Sequence, residues 1–169
     1  MQSSRNTTAF LSRRFPALAC SGLPSINYSQ LLKFEITTRG SLMPKAVVID
    51  DSLSDLRQAT EILKNVGVSE VEHILTVPKA CIYLQEVVDG KRGAPDLIIL
   101  DLQFPLESGF EVLRFRRSNR EVSAIPVVVW TIMGPTEQEL CRFFGATVVP
   151  KHEGPKGLEG ALKSVLIPA

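Results

Sequence analysis

Residues 97–113 constrain this chain more than any other stretch. Leu97, Ile98, Ile99 and Leu100 are apolar without alternation, the pattern of a strand buried on both faces of a parallel sheet. Asp101 follows where that strand should end. Burial disfavours the charged form of a carboxyl group, so an acid at the rim of an apolar sheet calls for a cation, hydrogen-bond donors or a reaction. Pro105 and Gly109 then turn the chain, Ser108 is placed to cap a helix, and Phe110, Val112 and Leu113 give that helix an apolar side.

The same unit of strand, polar end and helix recurs along the chain. Residues 46–49 form a second buried strand ending in Asp50 and Asp51; Ser52 or Ser54 caps the next helix, where Leu53, Leu56, Ala59, Leu63 and Val66 keep helical spacing up to Gly67. A weaker strand is predicted over residues 72–76, followed by a helix with Pro78 in its first turn and Ala80, Leu84, Val87 and Val88 on its apolar side. After a loop at 91–95 and the central unit, residues 125–130 form another apolar strand that delivers Thr131. Thr136 and Glu139 have capping-box spacing and open a short helix that ends near Gly145. A brief fifth strand at 146–149 leads to Pro150 and Lys151, and the last helix runs over residues 156–166. Five strands alternating with five helices imply a doubly wound α/β sheet with right-handed crossovers. Ligands of such sheets sit outside the carboxyl ends of the strands. Here those ends carry Asp50, Asp51, Asp101, Thr131 and Lys151.

Composition sets the remaining bounds. At 169 residues and 44% hydrophobic content the chain has material for one main domain. Residues 1–43 carry five basic residues against Glu35, whereas residues 44–169 carry 14 basic and 17 acidic ones, so a basic patch for nucleic acid is not expected of the domain. Residues 1–43 are rich in Ser, Thr and Arg without helix or strand period, and are read as a disordered or extraneous extension, with a targeting segment as the other reading. Residues 44–169 are read as the domain. Cys20, Cys81 and Cys141 are odd in number and far apart, which argues against disulfides and zinc and for a cytoplasmic setting. No apolar run is long enough for a bilayer span, so no membrane partner is expected. Arg114, Arg116, Arg117 and Arg120 read as a solvated basic face, and His73, His152 and the cysteines as structural.

Carboxylates clustered a few ångströms apart repel by about 4 kcal/mol per pair at an effective dielectric near 20, so the strand-end acids call for a divalent cation. An all-oxygen donor set suits Mg²⁺, which keeps waters and completes its shell with phosphate oxygens. Asp101 can then act as a nucleophile, with Thr131 and Lys151 holding the transferring oxygens. At this point the sequence resembles the receiver domains of two-component response regulators over residues 44–167. Asp101 lies in Leu-Asp-Leu-x-x-Pro-x-x-x-Gly, the family's phosphoacceptor motif. The resemblance implies a flavodoxin-like five-stranded sheet in the order 2-1-3-4-5. It further implies a Mg²⁺ site formed by Asp50, Asp51, Asp101 and the backbone carbonyl of Gln103, with Asp51 the direct ligand and Asp50 acting largely through water. Thr131 would be the switch hydroxyl and Lys151 the lysine that pairs with the phosphoryl group. Asp-Ser-x-x-Asp at positions 51–55, the loop at 91–95 and Ile-Pro-Val-Val-Val at 125–129 resemble the small stand-alone receivers that serve bacterial phytochromes.

Three positions depart from the pattern. Ile132 stands where a small residue usually follows the switch hydroxyl, Val148 where a rotating Tyr or Phe is usual, and His152 where Lys is usually followed by Pro. The expected function is that of a single-domain response regulator, not an enzyme beyond its own phosphorylation and dephosphorylation. It would accept a phosphoryl group on Asp101 from a sensor histidine kinase or phosphotransfer protein. Its expected output is binding of a downstream protein target, homodimerisation through the 136–166 face, or return of the phosphate through a relay, without nucleic acid. The alternatives are a receiver fold that signals without phosphate and, more remotely, a Mg²⁺-dependent Asp-nucleophile phosphohydrolase. The latter usually carries a second acid two residues on, where this chain has Gln103.

Overall fold

The computed structural model describes residues 44–166, and the readings of residues 1–43 and 167–169 lie outside them. Five parallel strands form one sheet in the order β2-β1-β3-β4-β5: β1 (Lys45–Ile49), β2 (Glu70–Ile74), β3 (Leu97–Leu100), β4 (Val127–Thr131) and β5 (Thr147–Pro150). This is the flavodoxin-like order expected from the sequence. The helices are α1 (Leu53–Asn65), α2 (Val77–Val88), α3 (Phe110–Ser118), a single turn α4 (Arg120–Ser123), α5 (Pro135–Phe143) and α6 (Gly154–Leu166), the last preceded by a 3₁₀ turn at Lys151–Glu153.

Both faces of the sheet are covered, which is why the inner strands read as unbroken apolar runs. On one face Val47, Ile49, Ile98, Leu100, Val127 and Val129 pack with Leu84 of α2, Leu113 of α3 and Cys141 of α5. On the other, Ala46, Val48, Ile99, Val128 and Trp130 pack with Leu56 and Leu63 of α1 and Leu158 and Leu162 of α6. At the usual 25 cal/mol per Å² of apolar area, each fully buried Leu or Ile contributes roughly 2 kcal/mol before entropy is charged against it.

Several boundaries differ from the sequence reading for local reasons. The edge strand β2 starts at Glu70, because Lys45 reaches across to Glu70 at 3.0 Å and Glu72 at 3.3 Å and sets the register, while Thr76 becomes the N-cap of α2. The third helix is interrupted at Asn119, which takes an extended conformation and leaves α4 as a separate turn. The capping box falls two residues earlier than Thr136: Gly134 is the N-cap of α5, and its N–H donates to Glu137 Oε2 at 2.7 Å. Ser52, by contrast, caps α1 as expected, accepting from the Asp55 N–H at 3.4 Å.

Of the basic stretch, Arg114, Arg117 and Arg120 are exposed as expected, and Arg116 is the exception. Arg116 is 8% exposed; its Nε–H donates to the Ile125 carbonyl at 2.6 Å and Nη1 to the Phe144 carbonyl at 3.1 Å. Arg117 donates to the Phe143 carbonyl at 2.8 Å and lies over that ring at 4.0 Å from its centroid. The two guanidinium groups therefore bind α3 to the end of α5, at carbonyls that a helix terminus leaves without intrahelical donors. Among the described residues no helix is long and apolar enough to cross a membrane.

Candidate functional site

Sheet register builds the site. Ile49 of β1 pairs with Leu100 of β3, so the residues that follow, Asp50 and Asp101, leave the sheet side by side; the Asp101 N–H donates to the Ile49 carbonyl at 2.9 Å. Thr131 of β4 pairs with Pro150 of β5, which puts Lys151 at the same end of the sheet. Asp50 and Asp101 are 2% and 6% exposed. The Asp101 carboxylate is fixed from both sides: Oδ1 accepts the N–H groups of Leu102 and Gln103 at 2.7 and 3.2 Å, and Oδ2 accepts from Lys151 Nζ at 2.8 Å.

Gly109 makes this loop possible. A Cβ there would stand 2.3 Å from the Asp101 carbonyl oxygen and 2.7 Å from Leu102 Cα, so the Gly of the motif is required by close backbone approach. The loop closes through the Gly109 N–H to the Leu102 carbonyl at 3.1 Å and an isolated bridge between Gln103 and Ser108.

Lys151 gathers three carboxylates. Its Nζ donates to Asp50 Oδ2 at 3.0 Å, Asp55 Oδ2 at 2.5 Å and Asp101 Oδ2 at 2.8 Å. Burial works against this ammonium, but the hydrogen bonds it donates to Asp101, Asp55 and Asp50 outweigh it and raise the pKa above the ordinary lysine value. For Asp50 burial wins: it pushes the carboxyl pKa up despite the Ser52 N–H at 2.8 Å and Lys151. Beside these groups two buried polar atoms, Trp130 Nε1 and Thr131 Oγ1, have no hydrogen-bond partner among the described residues. The Trp130 ring lies under Lys151, with its centroid 5.3 Å from Nζ.

The structure thus brings together Asp50, Asp101 and Lys151 of the expected residues and places Thr131, wholly buried, at the end of β4. Asp51 is exposed and stands outside the cluster. Its place there is taken by Asp55 of α1: single oxygens of Asp50, Asp55 and Asp101 all lie within 4.8 Å of one another. Asp55 was visible in Asp-Ser-x-x-Asp, but an acid in the first turn of a helix also has an ordinary explanation in the helix dipole. Gln103 contributes its side chain as well, Nε2 donating to the Ile132 carbonyl at 2.8 Å, and the Ile132 side chain is 65% exposed. Val148 is half-buried against the larger core cluster. An all-carboxylate set of this spacing, beside an unpartnered buried hydroxyl, fits a hard divalent cation and an oxyanion.

No family model matches the chain. Among curated proteins it is 35% identical over 94 residues to the response regulator Rcp1 of Synechocystis, a match that covers 52% of this chain and 62% of Rcp1. The crystal structure of the phosphorylated cyanobacterial phytochrome response regulator RcpA aligns with a TM-score of 0.66 at 25% identity, over 75% of this chain and 96% of that one. The chain carries a response-regulator receiver domain. The Mn²⁺-bound form of Rcp1 aligns to this receiver domain with a TM-score of 0.63 at 26% identity, covering 75% of this chain and 96% of that chain. The proteins it is similar to are thus response regulators, RcpA being by its description a cyanobacterial phytochrome response regulator. The match spans less than two thirds of Rcp1.

Proposed function

We propose that this receiver domain accepts a phosphoryl group on Asp101 from a histidine kinase or phosphotransfer protein and signals through phosphorylation-dependent binding of another protein. The observation that carries this reading is the Asp101 carboxylate, buried at the end of β3, oriented by two backbone N–H groups and Lys151, and neighboured by Asp50 and Asp55. In the reaction a carboxylate oxygen attacks phosphorus, the bond from phosphorus to the donor breaks with its electron pair leaving on the donor, and an acyl phosphate forms. Backbone donors at Leu102 and Gln103 hold the carboxylate in line, and Lys151 pairs with the incoming phosphoryl oxygens. The unpartnered Thr131 hydroxyl gives one of those oxygens a donor, and its inward movement is the switch. Mg²⁺, held by Asp50, Asp51, Asp101 and the Gln103 carbonyl, would neutralise charge between carboxylate and phosphoryl group. The partner surface we assign to the 136–166 face, where it serves a downstream target or a second copy of the chain, in a cytoplasmic setting.

The test is intact-protein mass spectrometry after incubation with acetyl phosphate and Mg²⁺. One phosphoryl group should appear on the wild type and none on Asp101→Asn. No Asp101-dependent adduct would return the domain to a phosphate-independent binding module.

A further inference from the structure

Lys151 offers three N–H donors, and each is already given to a different carboxylate, Asp50, Asp55 and Asp101. An oxyanion arriving on Asp101 therefore cannot pair with Lys151 unless one of these bonds is surrendered. The three acceptors are not equally able to let go. The Asp50 side chain is 3% exposed, so releasing it would leave a buried carboxylate without its cation, which is the costly case. Asp101 is itself the residue that carries the oxyanion. The Asp55 side chain is 27% exposed and stands in the first turn of α1, where water and the helix dipole can both support a free carboxylate.

We propose that Asp55 is a positioning residue, an exchangeable third acceptor that holds Lys151 in the unmodified pocket and yields it when an oxyanion is seated on Asp101. The inference rests on the reading of Asp101 as phosphoacceptor and adds to it an internal competitor. Asp55 holds the ammonium aimed into the pocket, and the same bond must be broken before Lys151 can pair fully with the incoming group. Its carboxylate also repels that group directly. Removing the charge at position 55 loosens Lys151 in the free protein and at the same time eases entry of an anion. A residue of purely structural importance would not move these two properties in opposite directions.

The experiment uses the full chain as wild type, Asp55→Asn and Asp55→Glu, each checked for native circular dichroism. In metal-free protein, NMR of the lysine ammonium groups follows hydrogen exchange at Lys151, assigned with Lys151→Arg. Exchange should be several-fold faster in Asp55→Asn and close to wild type in Asp55→Glu; unchanged exchange in Asp55→Asn overturns the holding role. At saturating Mg²⁺, calorimetric titration with beryllofluoride should show about tenfold tighter binding to Asp55→Asn than to wild type, with Asp55→Glu near wild type. Equal or weaker binding to Asp55→Asn, with the wild type still binding, overturns the exchange role and leaves the function of Asp101 intact. A wild type that binds no beryllofluoride and gains no phosphoryl group overturns the proposed function, and the exchange role with it.

Discussion

Two cations are withdrawn from water in this fold, and their partners differ in kind. Lys151 meets three carboxylates at the carboxyl end of the sheet. Among the described residues the hydrogen bonds of Arg116 go to the Ile125 and Phe144 carbonyls, and Arg117 beside it uses a carbonyl and a ring face. The opposite pKa directions follow from this. Burial lowers that of Arg116, with only dipoles to oppose it, whereas the carboxylates raise that of Lys151 in spite of burial. Carbonyls fixed in the backbone make a strut. Carboxylates on side chains make a set of bonds that another anion or a metal can replace.

Breaking the strut should have the largest effect. Arg116→Ala leaves two carbonyls without their charged donor and removes the packed stem, for an expected loss of about 3–4 kcal/mol in urea unfolding that Mg²⁺ does not restore. Restoration by Mg²⁺ would abolish the distinction between the two regions. Lys151→Met should cost about 3 kcal/mol in metal-free buffer, because three carboxylates are left facing one another, and here added Mg²⁺ should recover much of the loss. If the Lys151→Met deficit were indifferent to divalent cations, the acidic cluster would be as rigid a structural device as the arginine clamp.

Smaller effects sharpen the contrast. The folded-state pKa of Asp50 is raised, so its ionised form opposes folding as pH climbs above the ordinary carboxyl value. Asp50→Asn should therefore stabilise metal-free protein at neutral pH by about 1 kcal/mol, with the advantage fading as pH falls through the ordinary carboxyl value of 3.8, where the wild-type acid becomes protonated in the unfolded state as well. Thermal melts at pH 7 and pH 3.5 decide this, and an equal gain at both would show that repacking is responsible. Cys141 of α5, wholly buried, has a thiol pushed up to about 11 by burial. The unfolded chain ionises this thiol first, so stability should fall between pH 9 and about 11, and Cys141→Ala should flatten that limb. An unchanged alkaline slope in Cys141→Ala would assign the loss to other groups.

These pairings also mark the limit of what could be read in one dimension. Unalternating apolar runs ending in Asp50, Asp101, Thr131 and Lys151 were legible because a strand covered on both faces must be apolar throughout, which makes a polar terminus conspicuous. The burial of Arg116 is not legible in the sequence because its acceptors are backbone carbonyls, which every residue possesses and no residue type announces. The capping residue of α5 was misplaced at Thr136 because Gly134 has no side chain to signal the role, and only the return of Glu137 to its N–H reveals it.

The sequence alone determined the alternation of strands and helices, the parallel sheet and the acids and lysine at its carboxyl end, since local periodicity and burial are written in residue type. Tertiary structure decided that Asp55 rather than Asp51 completes the carboxylate trio, and that one ammonium is shared among its members. The reason is geometric. Whether an acid on the first turn of α1 faces water or Lys151 depends on how that helix docks against β1 and α6 and on where the turn after β5, 96 residues along the chain, places Lys151.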